Sequence, residues 1–169
     1  MLMGFEVDLS VVVDCGREDL ADLTVEGTQG ALVLEMPYNG WPRYLGETLF
    51  RLRAWGFRPV LAHPERNDRV QKDPAVLQDC LKAGAVAQIT VASLTGEFGK
   101  KPERVFRMLL GEGAVSLLAT DAHAYRTDGW TLAPVIEKLR ATVGEETIAA
   151  LVKENPRRLL AGEALLKVQ

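Results

Sequence analysis

An α/β fold, a parallel sheet with helices packed over it, is what the sequence predicts. Four short apolar runs recur at an interval of about 28 residues, the length of a strand plus a crossover helix. They are Ala31 to Leu34, Pro59 to Ala62, Val86 to Ile89 and Val115 to Ala119. The runs are continuous rather than alternating, as in strands buried on both faces. The stretches between them carry apolar residues at helical period, and strand–helix alternation of this kind builds a parallel sheet.

Before Ala31 the pattern is less regular. Val11 to Val13 reads as a strand, and Asp19 to Leu23 as a turn or short helix. Leu45, Leu49 and Leu52 define the first clear helix, with Glu47, Arg51 and Arg53 on its other faces. Leu77, Cys80 and Leu81 mark the next, then Val105, Met108 and Leu109, then Leu132, Val135, Ile136 and Leu139. Pro74 and Pro102 sit near helix starts, where a missing N–H costs little. Gly56, Gly84 and either Gly111 or Gly113 sit near helix ends, where a left-handed residue is needed. The tail from Glu145 to Leu166 reads as helix with a break at Asn155-Pro156.

The chain has 169 residues, 47% hydrophobic and 25% charged, as expected of one globular domain. Its net charge of -3 provides no overall field for nucleic acid or an anionic membrane. No apolar run approaches the ~20 residues of a membrane span. The opening MLMGFEVDLS lacks a basic region of the secretory kind, so a cytoplasmic protein is expected. Two cysteines are too few for a disulfide framework, and Cys80 reads as a buried thiol. Neither lies in a Cys-x5-Arg loop, which argues against a thiolate nucleophile.

The chemistry collects after the strands. Leu34 is followed by Glu35, Ala62 by His63-Pro64-Glu65-Arg66, Thr90 by Val91 to Gly96, and Thr120 by Asp121-Ala122-His123. Parallel α/β proteins place ligands and catalytic groups at these carboxyl ends. Both histidines of the chain belong to the set. Carboxylates and imidazoles converging there suit a borderline divalent metal such as Mn, Fe or Zn. Such a site lowers the pKa of bound water toward ~7 and supplies hydroxide as nucleophile. Arg66 suits bidentate binding of a phosphate. Taken singly, each motif has a plainer reading: Glu35 paired with an arginine such as Arg43, the His63 segment as a loop with a surface ion pair, Asp121 and His123 without a metal.

LVLEMP, GFRPVLAHPERN, QITVASLTGEFGK and LLATDAH, in this order and spacing, resemble the manganese-dependent tyrosine-protein phosphatases of bacterial capsule and exopolysaccharide gene clusters. These belong to the PHP (polymerase and histidinol phosphatase) family. The likeness runs from about Gly4 to Leu160 and includes Asn155-Pro156; Ser93 to Gly99 is its most specific part. It implies the C-terminal portion of a distorted PHP-type (β/α)7 barrel, parallel strands with outer helices, and a cluster of up to about three divalent metals, manganese first. It implies Glu35, His63, Asp121 and His123 as metal ligands, and Glu6 in Gly-Phe-Glu-Val as a further one. Arg66 and Arg126 are implied at the substrate phosphate, with His63 and His123 assisting proton transfer. The family's opening His-x-His strand has no counterpart before His63, so residues 1–169 are expected to be a single, N-terminally incomplete domain.

The function implied is hydrolysis of phosphotyrosine in proteins by a metal-bound hydroxide, regulating polysaccharide synthesis, with a bacterial tyrosine kinase as the expected substrate protein. The alternatives are a small phosphomonoester such as histidinol phosphate, or a non-catalytic binding subunit. No nucleic acid or membrane partner is expected, and self-association stays open.

Overall fold

Sequential parallel pairing organises the computed structural model, which describes residues 4–28, 30–122 and 132–168. Five strands form one sheet in the order β1-β2-β3-β4-β5, every neighbouring pair parallel. They are β1 (Glu6–Asp8), β2 (Ala31–Glu35), β3 (Arg58–Ala62), β4 (Val86–Thr90) and β5 (Leu117–Ala119). Between β1 and β2 run α1 (Leu9–Asp14) and α2 (Arg17–Ala21), and between β2 and β3 runs α3 (Leu45–Ala54). A 3-10 turn (Pro64–Arg66), α4 (Asp68–Lys72) and α5 (Ala75–Lys82) lead to β4; α6 (Val91–Thr95) and α7 (Lys100–Gly111) lead to β5. The chain continues through α8 (Ala133–Arg140), α9 (Glu145–Ala149), a π turn (Ala150–Glu154) and α10 (Asn155–Leu160). No helix among the described residues is long and apolar enough to cross a membrane.

The register sorts side chains onto two unlike faces. Glu6 pairs with Val33 and Asp8 with Glu35, so those four share a face with Ala31, Val60, Ala62, Val86, Gln88 and Leu117. The alternate residues Val7, Leu32, Leu34, Leu61, Ile89 and Leu118 enter the main core with Leu49, Leu52, Leu77, Val105, Phe106 and Leu109 from the helices. On the first face, a small cluster of Ala31, Val60, Val86, Leu117 and Leu159 fills one end. The carboxyl end of that face is left to polar groups.

The N-terminal segment departs from expectation. Val11 to Val13 is helix, not strand, because Asp8 caps α1 by accepting from the Ser10 amide at 2.7 Å. Leu9 and Val12, one turn apart, are buried while Val11 is 50% exposed. The strand of this region is Glu6–Asp8, and β5 begins at Leu117 rather than Val115. At Asn155-Pro156 the expected break is a π turn that leads straight into α10, with Pro156 in its first turn, where no N–H is needed.

Asn155 is fully buried and ties the tail to the sheet. Its amide donates to the carbonyls of Ser116 and Leu166, both at 3.0 Å, and its Oδ1 accepts from the Leu166 N–H at 2.7 Å. The tail then passes over Gly113, where φ is +66° and an added Cβ would collide with the Val168 carbonyl. Asn155→Ala removes three hydrogen bonds made by a buried side chain and is expected to lower unfolding free energy by about 2–3 kcal/mol in urea denaturation. An unchanged midpoint would show that the tail does not depend on this side chain.

Candidate active site

The carboxyl ends of β1, β2, β3 and β5 meet around Tyr38. Glu35 ends β2, and the chain turns through Met36 and Pro37 to reach Tyr38. Asn67 locks that turn in place. It is 1% exposed, and its amide donates to the carbonyls of Pro37 at 2.6 Å and Gly40 at 2.8 Å. The Asn67 Oδ1 meanwhile caps α4 by accepting from the amides of Arg69 and Val70. The Asp68 N–H donates to the Tyr38 carbonyl at 2.8 Å, fixing the ring's position.

His63 and Asp121 are the only described residues other than glycine with positive φ, at 36° and 53°. Both follow strand ends. The His63 N–H still donates to the Gln88 carbonyl at 2.8 Å, so the left-handed turn begins directly at the sheet. Its imidazole is 3% exposed, stacks on Tyr38 at 5.6 Å between centroids, and places Nε2 3.1 Å from Glu6 Oε1. Burial pushes the imidazolium down, but the hydrogen bond and charge of Glu6 outweigh burial, so the net pKa lies above the ordinary value.

The Pro64–Arg66 turn then aims Arg66 back over the site. Its guanidinium lies 4.5 Å from the Tyr38 ring centroid and 4.1 Å from that of Phe98. Nη1 donates to Asp121 Oδ2 at 3.2 Å. Burial pushes the Tyr38 phenol up, the Arg66 charge pulls it down, and the carboxylates of Glu35, Asp121 and Glu6 push it up again. One phenol thus senses four of the expected site residues. On one side of Tyr38 a cavity of about 620 Å³ is lined by Asp8, Glu35 and Trp41; on the other a cleft of about 410 Å³ is lined by Arg66 and Phe98.

Beneath His63 lies Glu65, which sequence reasoning passed over. It is fully buried, and its Oε1 accepts from the Ser93 hydroxyl at 2.7 Å and the Thr90 amide at 3.1 Å. Among the described groups, Glu65 Oε2 and His63 Nδ1 are buried with no hydrogen-bond partner. Burial drives the Glu65 carboxyl up to about 7, against the hydrogen bonds from Ser93 and the backbone. This contact joins the His-Pro-Glu-Arg turn to Ser93, so two segments distant in sequence act as one buried polar unit. The signal available was position: Glu65 lies between His63 and Arg66.

Glu6, Glu35, His63, Arg66 and Asp121 are therefore gathered at one end of the sheet. His123 and Arg126 lie outside the described residues. Among the described residues, no three His, Cys, Asp or Glu side chains stand close enough together to hold a metal ion as placed. They form an acid–imidazole pair and an acid–guanidinium pair, whose carboxylate oxygens and imidazole nitrogens suit a borderline divalent cation. The orphaned His63 Nδ1 is a further buried donor atom facing no partner. Cys80 stands apart, between α5 and the main core, its thiol pushed up by burial to about 11 and so unreactive.

Comparison with known proteins places this geometry. The family model for capsular polysaccharide synthesis proteins, CpsB/CapC, matches residues 1–161. The tyrosine-protein phosphatase YwqE of Bacillus subtilis is 30% identical over 136 residues, 80% of this chain and 53% of its own length. The CapC protein of Staphylococcus aureus is 26% identical over 152 residues, 89% of this chain and 59% of its own. The chain thus spans about half the length of the curated relatives it matches. A crystal structure from work on YwqE of Bacillus subtilis and CpsB of Streptococcus pneumoniae, described as metal-dependent tyrosine phosphatases, superposes with a TM-score of 0.83 at 29% identity. That alignment covers 97% of this chain and 66% of the solved one.

The Glu65 carboxyl supplies a pH test. Its folded pKa is above its unfolded value of 4.5, so stability is lost as pH rises from there through about 7. With a chelator present, the wild type is expected to lose on the order of 2 kcal/mol through this group between about pH 5 and 8. Glu65→Gln, which keeps an acceptor for Ser93, should flatten that slope in denaturation curves. Parallel slopes for the two proteins would refute the assignment.

Proposed function

Because the chain belongs to the CpsB/CapC family of capsular polysaccharide synthesis, we propose that it carries the phosphate-binding part of a metal-dependent protein-tyrosine phosphatase. The observation that carries this reading is the Arg66–Asp121 pair set beside the Glu6–His63 pair, both against Tyr38. Arg66, held against the Tyr38 and Phe98 rings, would offer its N–H groups to a phosphoryl group. Arg126 is proposed as a second phosphate ligand. The Tyr38 ring offers a stacking surface for the substrate's phenol. His63 or His123, through a ring nitrogen not bound to metal, is proposed to protonate the departing phenolate.

Glu6, Glu35, His63, Asp121 and His123 would hold the divalent cations, manganese first, with iron or zinc as alternatives and up to about three in all. Bound there, the metal supplies charge neutralisation and a nucleophile generated from water. The same reading extends to the fold. Parallel strands in chain order, with no reversal, suit the wall of a barrel better than a doubly wound sheet, and on that ground we propose that residues 1–169 belong to one PHP-type domain. We propose a phosphorylated protein of polysaccharide synthesis, a bacterial tyrosine kinase, as substrate, and the cytoplasm as the compartment.

With manganese added, the protein is expected to hydrolyse a phosphotyrosyl peptide faster than histidinol phosphate. Arg66→Ala should lower kcat/KM by about 10²-fold, and His63→Ala or Asp121→Ala should bring it to background. Peptide binding without turnover under manganese, iron and zinc would favour the non-catalytic reading, and a preference for histidinol phosphate would replace the substrate class.

A further inference from the structure

The cleft on the far side of Tyr38 differs in charge from the cavity on the near side. It is lined by Tyr38, Arg66, Gln71, Phe98, Lys100 and Lys101, with no carboxylate among its lining residues. Arg104 stands at its rim, donating to the Gln71 carbonyl at 2.8 Å. This concentration of cations occurs in a chain whose net charge is -3. Lys100 and Lys101 are exposed and open α7, the end of a helix where a cation is disfavoured. The acid of that turn, Glu103, attracts Lys100 but is shared with Arg107 at 3.0 Å and Lys138 at 3.8 Å. One carboxylate thus faces three cations, and an outside anion would offset the excess.

Resting on the phosphotyrosine reading, we propose that this cleft is a subsite for acidic side chains flanking the phosphorylated tyrosine. Arg66 forms the shared boundary: it faces Asp121 at the candidate centre and also lines the cleft. A peptide whose phosphotyrosine sits at Arg66 must send its neighbouring residues along one side of Tyr38 or the other. The cavity on the β1 side carries Asp8 and Glu35 and is lined by no cationic side chain among the described residues. The cleft toward α7 carries Lys100 and Lys101 and attracts them, while the Phe98 and Tyr38 rings pack against aliphatic stems.

The test is fluorescence anisotropy with labelled peptides: phosphotyrosine flanked by glutamates, the same flanked by glutamines, and both in unphosphorylated form. The wild type should bind the glutamate phosphopeptide roughly 5-fold more tightly than the glutamine one at low salt, a size set by two exposed ion pairs. That preference should vanish in K100Q/K101Q, whose thermal melt should match the wild type's because both side chains are exposed. Equal binding of the two phosphopeptides by the wild type, or a preference that survives the double substitution, overturns the subsite. If phosphorylation adds no affinity to either peptide, the phosphotyrosine reading falls and the subsite with it. If phosphorylation strengthens binding and glutamates do not, only the subsite falls.

Discussion

Strands laid in chain order and all pointing one way force the polypeptide to return over the same side of the sheet each time. The crossover helices therefore accumulate on one face, and Leu32, Leu34, Leu61, Ile89 and Leu118 are consumed in packing against them. The alternate positions are freed from that duty. This is why Glu6, Asp8 and Glu35 can stand on neighbouring strands on one face without entering the core. Like charges so placed are unfavourable alone. Glu6 meets the buried His63 and Asp8 is tied to Ser10, so neighbouring groups absorb part of that repulsion.

Which parts were legible in the sequence follows from length and period. β2, β3 and β4 were visible because each is a five-residue strand built around a mainly apolar run, set at a regular interval. β1 was not, because three residues with charges at both ends carry no strand signal. Val11 to Val13 misled for a related reason: three residues cannot distinguish a period of two from one of 3.6, and the Asp8 cap decided it. At the site, the rule that function gathers after parallel strands found Glu35, His63 and Asp121. It could not find Tyr38 or Phe98, which come from loops and owe their places to the Asn67 hydrogen bonds and to the turn before α7. Nor could it show that Ser93 and Glu65 meet, since that contact exists only once β3 and β4 are side by side.

Arg66 illustrates how little freedom the centre has. Two rings lie within 4.5 Å of its guanidinium carbon, and its charge is directed at Asp121 with both side chains mostly buried, 19% and 10% exposed. At that depth solvent screens the pair less than it would at the surface. A lysine in its place would keep the charge but lose the plane, and with it the two-pronged geometry that a phosphoryl group matches.

The left-handed backbone at His63 and Asp121 bears on how this protein can change over time. Glycine would relax both positions, and a side chain there is kept against a conformational preference of about 1 kcal/mol each. Glycine at either place would ease the turn yet empty the contact of His63 with Tyr38 and Glu6, or of Asp121 with Arg66. Sequence drift there sets a backbone gain against a packing loss, so these two turns offer no easy exit.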